Sequence, residues 1–101
     1  MNTYMSNPAA GLIEDTLEHL GISHAQAARD MGIPRSRLSD IFAGRKGVSV
    51  DTALRFERYT KSPAGLLIRA QADYDLRRAL KEKLPEIKRT VRPATVPLKA
   101  A

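Results

Sequence analysis

The twenty residues from His24 to Ala43, HAQAARDMGIPRSRLSDIFA, constrain this chain more than any other stretch. Ala28 stands fifth, Gly32 ninth, Leu38 fifteenth and Ile41 eighteenth. A larger side chain at Ala28 would force apart two helices that cross there, and Gly32 accepts a positive φ without strain. Leu38 and Ile41, three residues apart, turn an apolar face of the second helix onto the first, where Ala27 and Met31 continue the buried side. Together these positions describe a helix-turn-helix.

The flanking segments repeat one grammar of caps and stops. Asn7 can cap a first helix with Pro8 at its opening position, Leu12, Ile13, Leu17 and Leu20 on one side and Gly21 as its terminator. Ser23 caps the second helix, only two turns long and unstable on its own. The third opens at or just after Pro34 and runs to about Ala43, with Gly44 beyond it. Ser49 caps a fourth helix that packs through Ala53, Leu54, Phe56 and Tyr59. Ser62 and Pro63 open a fifth, which runs to about Leu84 and is closed by Pro85. No strand-like alternation and no internal repeat occurs, so the expected fold is all-α, five helices and a tail. Residues 1–84 are expected to form the domain, and the basic, proline-containing stretch 85–101 to be disordered when free.

The fifth helix carries two apolar stripes. Leu66, Leu67, Ala70 and Tyr74 share one side, most simply core, while Ile68, Ala72, Leu76, Ala79 and Leu80 share another. One stripe can pack on its own domain. The second needs another surface, for which a second copy of the chain is the first expectation, because helix-turn-helix proteins commonly read two DNA half-sites as dimers.

A chain of 101 residues buries only about 60 to 65% of its unfolded surface, so its core is thin. It has no cysteine, which excludes disulfides and thiolate metal sites. Neither a basic-then-apolar leader nor a membrane-length apolar run is present, and a cytoplasmic location is expected. The net charge of +6 favours a polyanionic partner. Most of that excess lies late in the chain: residues 1–80 hold 11 basic and 9 acidic side chains, residues 81–101 hold 6 and 2. A specific basic surface in the folded part must therefore come from placement.

That placement is found at the start of the third helix. The second helix of this motif lies in the major groove of double-stranded DNA with its first turn nearest the base edges. Here that turn holds Arg35, Ser36 and Arg37, followed by Ser39 and Asp40, none with an apolar role. Arginine can pair with both acceptors of guanine, a contact worth about 1 to 3 kcal/mol of discrimination. Arginines are also poorly placed for the dipole at a helix start, a small cost that an anion offsets. Arg45 and Lys46 in the following loop would reach flanking phosphates, and the amides near Ser23 and His24 form a helix start that can meet another.

Plainer readings stand beside these. Arg35 and Arg37 could be a solvated helix start, Arg45 and Lys46 a polar turn, and the basic tail simply solvated. His19 and His24 lie on different helices without a carboxylate set at ligand spacing, and no Ser, His and Asp are arranged as a triad. No metal, cofactor or catalytic activity is expected.

With the motif placed, the string LGISHAQAARDMGIPRSRLSDIFAGRKGVSVDTALRFERYTKSP, followed by QADYDLRRA, resembles the Xre class of lambda-repressor-like domains, and within it the HigA antitoxins. The resemblance runs from about Asn7 to Ala79. It implies a protein that neutralises a RelE-like, mRNA-cleaving toxin and, as a dimer, represses its own operon at a palindromic operator. It also implies that Arg35, Ser36, Arg37 and Ser39 read DNA, that Arg45 and Lys46 contact the backbone, and that the fifth helix dimerises. The chain departs from the family pattern at His24, where glutamine is usual, at Pro34, where Ser or Thr is usual, in its NPAAG opening, and in Leu66 and Leu67, which replace a Phe-Trp pair. A lone Xre repressor without a toxin is the alternative within the class. A protein-interaction module that keeps the fold without reading DNA is the alternative outside it.

Overall fold

The structure, a computed structural model, describes residues 7–96. Six α-helices and no strand occur among them: α1 (Pro8–Leu20), α2 (His24–Met31), α3 (Arg35–Phe42), α4 (Val50–Thr60), α5 (Ala64–Glu82) and α6 (Leu84–Thr90). No helix is long and apolar enough to cross a membrane among the described residues.

The caps form where the sequence places them. Asn7 Oδ1 accepts from the amide of Ala9 at 3.0 Å, and the hydroxyls of Ser23 and Ser49 accept from Gln26 and Thr52, each at 3.1 Å. Each satisfies an amide that the first helical turn leaves without a partner. The turn between α2 and α3 is a Schellman closure. Gly32 takes φ +69°, its amide donates to Arg29 O at 3.2 Å, and Ile33 N donates to Ala28 O at 3.0 Å. Ile33 then drops into the core and Pro34, in extended backbone, begins α3. This turn fixes where the first residues of α3 face.

α1 packs on α3 and α5, α2 on α3 and α4, and α4 on α5. The shared core holds Ile13 and Leu17 of α1, Leu38 and Ile41 of α3, Phe56 of α4 and Leu67 of α5, with the small residues Ala9, Ala10, Ala27 and Ala28 at close approaches. Leu20, Leu54 and Leu66, expected in the core, are about half exposed instead. Their helical period is right, but each stands where no neighbouring element reaches; Ala9 and Ala10 bury the start of α1 in place of Leu20 at its end.

The helix count is six, not five. The chain turns at Lys83 and continues as α6, so the expected irregular tail from Pro85 begins with a helix. Pro85 falls in the first turn of α6, where its missing N–H costs nothing, so the residue that stops one helix starts the next. Glu86 pairs with Arg89, and Thr90 Oγ1 donates to Glu86 O at 3.1 Å. Ser62 does not cap α5. The amide of Ala64 donates to Glu57 Oε1 at 2.6 Å, a carboxylate from α4 taking that role.

α5 buries only Ala64 and Leu67, and α6 buries nothing. The body thus ends partway along α5 and the rest projects, giving extents of 56 × 33 × 21 Å. Residues 1–6 and 97–101 of the expected domain and tail lie outside the described residues.

Candidate nucleic-acid interface

Among the residues proposed to meet DNA, Ser23, His24 and Arg35 line one surface hollow and Arg37 and Lys46 another, and they differ in what holds them. Arg35, Ser36, Arg37 and Ser39 are all exposed on α3, whose other face carries the buried Leu38, Ile41 and Phe42. The cap at Pro34 has no side-chain acceptor for the first amides of α3, so the helix start and its two arginines face solvent together.

Arg35 makes no ion pair with a described residue. Arg37 is tethered: its Nη1 lies 3.5 Å from Asp51 Oδ2 at the start of α4. The same carboxylate oxygen accepts from Arg55 Nε at 2.9 Å, and Arg55 Nη1 donates to Met31 O at 2.9 Å. Arg55 thereby places a cation on the carbonyl end of α2, where the helix dipole favours it. The chain Met31–Arg55–Asp51–Arg37 links the two helices of the motif through α4.

Asp40 faces the loop. Its backbone oxygen accepts from the amides of Arg45 at 2.9 Å and Lys46 at 3.2 Å, and its carboxylate takes Arg45 Nε at 2.8 Å with Lys46 Nζ at 3.8 Å. The Arg45 hydrogen bond, helped by the charges of both cations against some desolvation, holds the Asp40 carboxyl below its ordinary value of 3.8. Asp40, expected among the DNA contacts, also holds the loop and orients Arg45 and Lys46, whose own side chains are 63% and 74% exposed.

His24 is also engaged internally. Its Nε2 sits 2.8 and 3.0 Å from the two carboxylate oxygens of Glu14, and its ring lies against Phe42, centroids 4.4 Å apart at 34°. Its imidazole therefore ties α1, α2 and α3 together beside the amides at the start of α2. Glu14, Asp51 and Arg55 were not singled out by the sequence. Asp51 and Arg55 form an i, i+4 pair that the sequence does display, whereas their links to Arg37 and Met31 exist only once the helices are packed.

Of the proposed dimer stripe, Ala72, Leu76 and Leu80 are exposed, while Ala79 is half-buried and Ile68 packs partly on the core. Arg77 pairs with Asp73 and Arg78 with Glu82, keeping these charges along the helix beside the stripe. Among the described residues no group of His, Asp or Glu converges as metal ligands would.

Comparison with known proteins agrees with this geometry. The helix-turn-helix family matches residues 13–67. Virulence-associated protein I of Dichelobacter nodosus is 32% identical over 77 residues, 76% of this chain and 71% of that protein. Among solved structures, Pseudomonas aeruginosa antitoxin HigA with the higBA promoter is similar at 28% identity and TM-score 0.75, covering 86% of this chain and 95% of that one. The antitoxin GraA is similar at 30% identity and TM-score 0.77, covering 87% and 95%.

Proposed function

Since this chain belongs to the helix-turn-helix family, in its Xre-type, HigA-like branch, we propose that it is a sequence-specific transcriptional repressor and the antitoxin of a type II toxin–antitoxin pair. It acts in the cytoplasm as a homodimer on a palindromic operator, has no catalytic activity, and neutralises a small basic RelE-like toxin that cleaves mRNA. The observation that carries the reading is the first turn of α3, with Arg35, Ser36, Arg37 and Ser39 exposed together at a Schellman turn in a fold shared with an antitoxin solved on its promoter.

Arg35 and Arg37 are the base-reading candidates, with Ser36 and Ser39 beside them. Arg45, Lys46 and the amides at Ser23 and His24 supply phosphate contacts. The exposed Ala72, Leu76 and Leu80, with Ala79 and Ile68 at the margin, form the surface for a second protomer.

Two measurements test the reading. Binding to the chain's own promoter region should exceed binding to random DNA and weaken steeply with salt; equal affinity for both sinks the repressor. Purification at native expression should bring down a stoichiometric small basic protein. Specific promoter binding without such a partner would identify a lone repressor instead.

A further inference from the structure

The QADYDLRRA segment of α5 holds a residue whose role lies away from the dimer stripe. Gln71 Oε1 accepts from Val48 N at 2.7 Å and from Asn7 Nδ2 at 3.0 Å, while Gln71 Nε2 donates to Val48 O at 2.8 Å. Both backbone groups of Val48 are thus held by a single amide side chain, as a neighbouring strand would hold them. Val48 itself is 2% exposed, so its N–H and C=O have little recourse to water if the amide is removed. The same side chain reaches the residue that caps α1, so Gln71 joins the start of α1, the loop after α3 and the middle of α5.

The loop between α3 and α4 is therefore gripped at both ends. Asp40 holds its first part through Arg45 and Lys46, and Gln71 holds its last part at Val48. Gly47 lies between, and a Cβ there would stand 2.9 Å from Gln71 Oε1. That oxygen already has two donors and cannot withdraw without losing them, which accounts for the glycine by close approach. The two exposed cations are carried on the segment between the grips.

We propose that Gln71 is a positioning residue for DNA binding: from the helix that projects toward a second protomer, it fixes the loop that presents Arg45 and Lys46 to the DNA backbone. The proposal rests on the DNA-binding reading above. It gives α5 two tasks on different faces, one toward the partner and one toward the loop.

The test uses the full chain and operator DNA in a salt titration, with Gln71→Met, the double variant Arg45→Ala/Lys46→Ala, and all three changes combined. Gln71→Met keeps side-chain length but can form none of the three hydrogen bonds. It should remain helical and dimeric, lose amide-exchange protection at Val48, and bind operator about tenfold more weakly. Its slope of log K against log salt should become shallower by up to about 0.9 per phosphate contact released. Added to the loop double variant, Gln71→Met should cause little further loss, because the contacts it positions are already gone. Were Gln71→Met itself unable to fold, Gly47→Ala would strain the same grip from the loop side and should shift affinity and slope in the same direction. Equal losses from Gln71→Met in both backgrounds, or an unchanged salt slope, would overturn the role of Gln71. Wild-type operator binding by the loop double variant would instead overturn the loop's contact with DNA, and the proposal with it.

Discussion

Arg37 is the candidate reader with a charge partner, because its guanidinium lies 3.5 Å from Asp51 of α4 while remaining 42% exposed. Replacing it with alanine should lower operator affinity by about 1 to 3 kcal/mol and relax preference at one base position, with the melting curve unchanged. Competition binding against operators altered one base pair at a time checks this, and an unchanged preference removes Arg37 from the readers. At this scale the sequence was legible wherever a residue acts on its own neighbourhood. Asn7, Ser23 and Ser49 cap as expected, and Gly21 and Gly32 take positive φ, since each needs only the four or five residues around it. Residues whose partners lie far along the chain were not legible. The His24 imidazole meets Glu14 and Phe42, and Gln71 meets Val48 and Asn7, across distances that no local pattern encodes.

The helices differ in how much of their stability comes from packing. α1 to α4 each bury three or four side chains, while α5, the longest, buries Ala64 and Leu67 alone. Leu67 is therefore the main apolar anchor of α5 to the body. Leu67→Ala should cost about 2 to 5 kcal/mol of unfolding free energy, the range for a fully buried leucine, read by denaturant unfolding at a fixed protein concentration. A cost below 1 kcal/mol would mean that α5 is held in place by other contacts. The same sparse burial explains why the two-stripe reading of α5 was right in period and inexact in membership. Leu66 is exposed and Ile68 partly packed, because which side faces the body depends on how α4 turns into α5 at Lys61, a non-glycine residue with φ +68°. The division of the C-terminal stretch into α5 and α6 was illegible for another reason, in that Pro85 is compatible both with the end of one helix and with the beginning of another.

For the molecule as a whole, the long dimension follows from a body that stops at the middle of α5. Leu76 and Leu80, one turn apart and 59% and 49% exposed, stand beyond that body. Burying them against a second copy removes apolar surface worth about 25 cal/mol per Å² from water. Leu76→Asp with Leu80→Asp should convert the proposed dimer to a monomer in sedimentation. It should lower affinity for the full palindrome far more than affinity for an isolated half-site, since linked half-sites bind as one. Dimers persisting in that variant would place the interface elsewhere. The all-helical class and the position of the turn between α2 and α3 were both readable from caps and spacing. The joining of α5 to the loop was not, since it exists only when the ends of the domain are brought together.

Asp40 and Asp51 have a further consequence. Three of the four basic side chains proposed to meet DNA already hold a carboxylate, and only Arg35 lacks an ion pair among the described residues. On arbitrary sequence, Arg37, Arg45 and Lys46 would exchange one anion for another at little gain, while a guanine in register adds hydrogen bonds that no carboxylate of the protein supplies. On the DNA-binding reading, the acids would act as an internal competitor that lowers adhesion to bulk chromosome and widens the margin by which the proper site is preferred. Asp51→Asn should narrow that margin, raising affinity for random duplex more than affinity for the operator. Parallel titrations with the two DNAs would read the ratio directly, and a ratio equal to that of the wild type would show that the carboxylate plays no part in selectivity.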